Sequence, residues 1–311
     1  MAEFGFTEAH ELLRRQASDF ARRQLLPGAR ERAKMNRIPR ELIQKIAEAG
    51  YTGITAPARY GGQGLDMMSL GIVLEEFAKV DIAAPHVVIA PTQVCALLES
   101  ATEEQRQQWI PRIIKGEVIP CLCITEPDAG SDVAAIKLRA VRSGEAYILN
   151  GEKTSISRGM QSDLLLVWAK TDPEAGARGV SCFMVPADTP GISRSPIFHM
   201  GWRPLQTASI VFDDVEVPVS NRVGDEGKGF YMIMDRFDVL RVLLALEVLG
   251  MAQASVDETI AYVKQRTAFG KPIGKYEGVS FKLAEALTML DAARLLCYRA
   301  LWMRDNGLRH S

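Results

Sequence analysis

Cysteine is scarce in this chain of 311 residues: there are five, Cys95, Cys121, Cys123, Cys182 and Cys297. The odd number and the lack of any zinc-like spacing point to neither a disulfide framework nor a thiolate metal site. All five are expected to be reduced, packed thiols of a cytoplasmic protein. Cys121 and Cys123 alternate with Leu122 and Ile124, which puts both thiols on one face of a strand. An excess of either charge is also missing. Lys and Arg total 37 against 38 Asp and Glu, a formal net charge of −1. Composition therefore gives no reason to expect nucleic acid or an anionic membrane as partner. A local basic pocket for a phosphorylated ligand stays compatible with that balance. No apolar run approaches the length that spans a bilayer. The opening Met1-Ala2-Glu3-Phe4 leads into charged, helix-patterned sequence, unlike a secretory or mitochondrial targeting segment. What is present is an ordinary globular composition, 47% hydrophobic and 24% charged, with length for roughly two or three domains.

The periodicity divides the chain into three stretches. In the first, Thr7 caps a helix whose apolar residues Leu12, Leu13, Ala17, Phe20 and Ala21 recur at helical spacing. Pro39 opens a second helix that Gly50 ends. Residues 61–64 (Gly-Gly-Gln-Gly) form a loop, and 67–79 and 102–115 read as further helices, the latter capped by Thr102. The pattern changes at Glu117. Short β-branched and aliphatic runs follow at 118–125, 147–149, 164–169, 179–185 and 208–215. Turn signals separate them, among them Asn150-Gly151 and Asp213-Asp214. After residues 224–229 two long helices are expected, at 230–266 and 276–305. The fold class is α+β multidomain: a helical domain (1–116), an antiparallel β domain of sandwich or barrel type (117–226), and a helical C-terminal bundle (227–311). Two helices alone cannot bury their apolar stripes, so this last part reads as incomplete without further partners.

The densest run of turn and polar residues is Cys123-Ile124-Thr125-Glu126-Pro127-Asp128-Ala129-Gly130-Ser131-Asp132, a strand end followed by a tight turn. Such a turn presents a hydroxyl and backbone N–H groups to a polar ligand, though by itself it reads first as a hairpin corner between strands. Together with Asn150-Gly151-Glu152-Lys153 and Arg266-Thr267-Ala268-Phe269-Gly270-Lys271-Pro272-Ile273, in that order, the chain resembles the acyl-CoA dehydrogenases. The resemblance runs from the first helix to the last residue. It implies FAD as cofactor, an acyl-CoA thioester as substrate, electron-transferring flavoprotein as electron acceptor, and a homotetramer built as a dimer of dimers. It implies that the backbones of Leu122 and Ile124 and the hydroxyl of Thr125 face the flavin ring. Ser131 then lies on the acyl-pantetheine path, and Ser155 and Ser157 pass the flavin near N5. Family members commonly carry Trp where Ser155 stands and Thr where Ser157 stands. Ser157 keeps the hydroxyl, whereas Ser155 loses a shielding ring and leaves a roomier, wetter site. Arg266 matches an arginine that pairs with the FAD diphosphate of a neighbouring subunit, with Phe269 in the same loop; a guanidinium fork suits phosphate oxygens. Phe237, Asp238 and Arg241 match residues near the CoA and the active centre. Asp238 and Arg241, three apart on one helix face, can also simply pair with each other.

The implied chemistry is α-proton abstraction with transfer of the β-hydrogen as hydride to flavin N5. It needs a general base and donors to the thioester oxygen. The usual base is a Glu in the C-terminal bundle, past the residues present here. The alternative position on the long helix is Leu240, which cannot act as a base. Asp81 is the carboxylate put forward instead, ahead of the apolar stretch 82–90 that walls the acyl pocket in the family; its other reading is a plain helix-end residue. Ser155 and Asp81 together favour a branched or alicyclic acyl group. Two other functions compete: a non-catalytic or half-site flavin/CoA-binding subunit that needs a partner chain, and a flavin acyl-CoA oxidase.

Overall fold

The computed structural model describes residues 4–309, and within them the side chains of all but Ala96 and Leu97. The elements in chain order are α1 (Glu8–Phe20), α2 (Ala29–Arg32), α3 (Arg40–Glu48), α4 (Met67–Ala78), α5 (Ala84–Leu97), α6 (Glu103–Ile114), β1 (Pro120–Cys123), β2 (Arg139–Ser143), β3 (Ala146–Ile156), β4 (Leu164–Lys170), β5 (Val180–Pro186), β6 (Ile192–Pro196), β7 (Ala208–Pro218), β8 (Arg222–Val223), α7 (Gly229–Gln265), β9 (Thr267–Ala268), β10 (Lys271–Pro272) and α8 (Glu277–Asp305). The chain forms two compact units. One comprises Met1–Arg30, Leu65–Pro85 and Asp238–Ser311, the other Glu31–Gly64 and His86–Phe237.

The first unit is helical. Thr7 caps α1 in a capping box: its side chain accepts from the His10 amide, and His10 Nδ1 accepts from the Thr7 amide, both at 3.2 Å. A buried carboxylate ties three helices together. Glu75 of α4 accepts from Arg294 Nε at 2.6 Å and from Tyr298 Oη at 2.7 Å, both on α8, while Arg14 of α1 stands 3.5 Å away. Packing here is close: a Cβ on Gly250 of α7 would meet the Glu75 carbonyl oxygen at 2.4 Å.

One expectation needs correcting at α7. An 18-residue window of this helix has a mean hydropathy of 1.7, so by length and composition alone it passes for a membrane crossing. Val239, Leu243, Leu246 and Leu249 are buried on one side of it, and so is Glu247, while Val248 on the opposite side is exposed. The apolar residues thus run beyond the buried stripe, and the helix reads like a span.

The second unit is built on a sheet ordered β6-β7-β3-β2-β4-β5-β8, with β1 added to β4. Most pairings are antiparallel, as expected, but β1 and β2 both run parallel to β4. β4 is buried along its whole length. Leu164, Leu166 and Trp168 point into a core shared with α5 and α6, and Leu165 and Val167 into a second core with Phe183, Phe212 and Tyr147. That two-sided burial is why the strand reads as one continuous apolar run.

Two of the expected turns are not turns. β3 runs straight through Asn150-Gly151, and β7 through Asp213-Asp214. The two signals face each other across the ladder, where the register slips by one residue. Asn150 Nδ2 donates to Asp214 Oδ1, and the Asp214 amide donates back to Asn150 Oδ1, both at 2.9 Å. Asp214 has φ 49°, so the residues that looked like chain reversals build a β-bulge.

Candidate functional site

The candidate residues fall in both units, and each group has its own local geometry. In the sheet unit, Leu122 lies on β1, and Ile124 and Thr125 follow where the strand ends. Leu122 is half-buried and Ile124 is buried. The Thr154 amide of β3 donates to the Thr125 carbonyl at 2.9 Å, which brings Thr125 alongside the end of β3. That end is bulged: Lys153 pairs with Ile210 and Ile156 with Ala208, leaving one residue extra on β3. Ser155 takes up the bulge with φ 56°, and Arg158 just beyond has φ 61°. Neither is glycine, and left-handed backbone at such residues is strained. Between them Ser157 is exposed, as is Ser155. Ser131 is exposed on the loop after Thr125. Arg158 itself is buried, with Nη1 donating to the His86 carbonyl at 3.4 Å, and burial pushes its guanidinium down to about 10.

Beneath this rim lie two residues not put forward as site residues. Lys153 is fully buried on β3, and Glu126 follows Thr125. Lys153 Nζ donates to the Ile124 carbonyl at 2.9 Å and to Glu126 Oε1 at 2.7 Å. The Leu138 amide also donates to Glu126 Oε1 at 3.0 Å, and the Lys137 amide to Oε2. Burial lowers the Lys153 ammonium from its ordinary range, opposed by the Glu126 charge. A signal exists in the sequence: in the alternation of β3, Lys153 occupies an inward position, where a charge requires a partner. Behind β1, Cys121 and Cys123 are both buried with their sulfurs 3.7 Å apart, on one face as expected.

Phe237, at the end of the sheet unit, packs half-buried against the core that contains Trp168 and Ile233. The other candidates belong to the helical unit. Asp238 Oδ1 accepts from Arg241 Nη1 at 3.0 Å, so these two pair across one helical turn. Asp81 is 3% exposed, and its Oδ1 accepts from the amides of Ala83 at 2.7 Å and Ala84 at 3.1 Å. That makes it a cap on α5, a specific role at a buried position rather than a plain helix-end residue. Arg266 is exposed at the start of a two-residue hairpin, β9 to β10. At its tip Phe269 and Gly270 have φ 49° and 81°, the positive values a type I′ turn demands of both central residues. Phe269 is 97% exposed. Its large apolar ring is held outward on left-handed backbone.

A protein with this helical and sheet architecture, and this bulged hydroxyl rim, has close relatives. The family model "Acyl-CoA dehydrogenase, N-terminal domain" matches residues 7–117, "Acyl-CoA dehydrogenase, middle domain" residues 121–215, and "Acyl-CoA dehydrogenase, C-terminal domain" residues 227–311. A 3-(aryl)acrylate reductase of Clostridium sporogenes is 38% identical over 97% of this chain and 81% of its own length. The caffeyl-CoA reductase-Etf complex subunit CarC of Acetobacterium woodii is also 38% identical, over 97% of this chain and 80% of its own. Among solved structures, PigA with FAD and proline superposes with a TM-score of 0.95 at 28% identity, covering 99% of this chain and 82% of that one. The chain belongs to the acyl-CoA dehydrogenase family and is an oxidoreductase of that class.

Proposed function

We propose that this protein dehydrogenates an acyl-CoA thioester between Cα and Cβ with FAD as cofactor, on a branched or ring-bearing acyl group. The observation that carries the reading is the strained end of β3. Ser155 and Arg158, both in left-handed backbone, bracket the exposed Ser157, three residues past Thr154, whose amide donates to the Thr125 carbonyl. Strain of this kind persists where the surrounding structure over-determines it, and it clusters at ligand sites. The residues fit a flavin. Thr125 and Ser157 offer hydroxyls, and Leu122 and Ile124 offer backbone groups; Arg266 and Phe269, on the other unit, are assigned to the FAD diphosphate of a neighbouring subunit, which a guanidinium fork suits. When bound, FAD supplies the two-electron acceptor for the departing β-hydrogen. Ser131 is assigned to the acyl-pantetheine chain, and Phe237, Asp238 and Arg241 to the CoA side. The small Ser155 leaves room that a large ring would fill. Two relatives, a 3-(aryl)acrylate reductase and a caffeyl-CoA reductase subunit, carry ring-bearing substrates in their names, which supports the ring-shaped acyl group. The second name also supports an electron-transferring flavoprotein as redox partner.

The test is a visible absorption spectrum of the purified protein, alone and after anaerobic addition of straight, branched and ring-bearing acyl-CoA esters. The expected outcome is a flavin spectrum that responds to the branched or ring-bearing esters. Bleaching by straight-chain esters alone removes the substrate assignment. No flavin spectrum after adding FAD would mean that the chain needs residues beyond those present here or a partner chain, and the half-site reading would move to first place. Hydrogen peroxide formed in step with product would assign an oxidase instead.

A further inference from the structure

We propose that the buried Lys153–Glu126 pair is the positioning element of the flavin and acyl sites, holding Thr125 and Ser131 in place from beneath. The inference rests on the flavin reading of Thr125 and Ser157. Its basis is where the contacts fall. Lys153 reaches across from β3 and donates to the Ile124 carbonyl at 2.9 Å, one residue before Thr125. One residue further along each strand, the Thr154 amide donates to the Thr125 carbonyl at 2.9 Å. The side-chain bond and the backbone bond are successive rungs, and together they fix the two segments whose hydroxyls form the rim.

Glu126 then holds the other half. Its Oε1 accepts from Lys153 at 2.7 Å and from the Leu138 amide at 3.0 Å, and its Oε2 accepts from the Lys137 amide. Residues 126 and 137–138 are the two ends of the loop that carries Ser131. The carboxylate therefore closes that loop at its base while the lysine locks its entry to β3. Glu126 and Ala129 also exchange backbone bonds at 2.9 and 3.2 Å, which fixes the tight turn leading toward Ser131. A buried ion pair is a poor device for stability alone, because desolvation offsets most of the attraction, and an apolar pair of similar volume often does as well. It suits positioning because every donor and acceptor demands one geometry.

The experiment compares the wild-type protein with Lys153→Met and with the double variant Lys153→Met/Glu126→Gln. Four quantities are read: the melting temperature without FAD, the Kd for FAD, the fine structure of the bound-flavin absorption band, and KM against kcat for the best ester. Lys153→Met leaves the Glu126 charge buried and the Ile124 carbonyl without its lysine, so all four are expected to worsen. The double variant removes the stranded charge, while the carboxamide oxygen that Glu126→Gln retains can still accept from a loop amide. Its melting temperature should recover toward wild type, while the Kd for FAD stays raised by at least about ten-fold and the flavin band stays altered. Full recovery of Kd and band together with the melting temperature would show that the pair only stabilises the fold, and would overturn the proposal. A wild type that binds no FAD would instead overturn the flavin reading on which it rests.

Discussion

At the scale of single residues, the clearest case is Asp81, because two roles for it make opposite forecasts. Its Oδ1 accepts from the amides of Ala83 and Ala84 at the start of α5. Asn caps a helix about as well as Asp, whereas Ala does not, at a cost of about 1 kcal/mol. Asn cannot take a proton from carbon. The capping role expects Asp81→Asn to keep both the melting temperature and kcat, and Asp81→Ala to lower the melting temperature. Calorimetry and steady-state kinetics on the two variants check this. A folded Asp81→Asn protein whose kcat drops by about two orders of magnitude, the scale expected for a lost general base, would make Asp81 the base. The same comparison shows how far single residues are legible. Motifs point to Ser155, Ser157 and Thr125, yet nothing in the sequence shows that Ser155 sits in left-handed backbone, since a bulge depends on the partner strand. The strand alternation marks Lys153 as an inward charge that needs a partner, but not which one, because Glu126 lies 27 positions away.

At the scale of elements, the helical unit turns on one carboxylate. Burial alone would raise Glu75, but the hydrogen bonds from Tyr298 and Arg294 and the nearby positive charges outweigh it and hold the group below its ordinary 4.5. A carboxylate depressed in the folded state contributes stability above its unfolded pKa and loses it as pH falls through the folded value. The link between α1, α4 and α8 is therefore intact at neutral pH and dissolves only in acid, beneath about pH 4.5. Melting curves of wild type and Glu75→Gln should differ most near neutrality and converge below that value. A gap that stays constant with pH would remove Glu75 as the source. Element by element, long helices with caps are legible: α1, α4, α6, α7 and α8 fall where spacing and caps put them. α5 is not, because Pro85 and Pro91 lie within it and its apolar residues are not confined to one stripe. β2 and β6 escape for the opposite reason. They are short, and most of their residues are exposed and polar.

At the scale of the whole molecule, the apolar surface left on the helical unit decides between one kind of assembly and another. On α8, Phe281, Met289, Leu295 and Leu296 are all more than half exposed, as are Val248 and Tyr262 on α7. Phe269 adds a seventh apolar group at the hairpin tip. Exposed apolar side chains are ordinary when scattered, but four on one helix mark a face suited to being covered. The formal net charge of −1 puts little electrostatic repulsion in the way of like chains. The homotetramer that the family resemblance implies follows if that face meets further copies of the same chain. Light scattering at micromolar protein should then give four times the 34.3 kDa of one chain. Leu296→Glu would place a charge on the face and shift the mass toward smaller species, with little change in the helical circular dichroism, since Leu296 is 66% exposed and contributes little to its own core. Because Arg266 and Phe269 are assigned to the flavin of a neighbouring subunit, the dissociated variant should also lose FAD. A wild type that scatters as a single 34.3 kDa chain would rule out the tetramer. The same exposed face would then need another cover than copies of this chain.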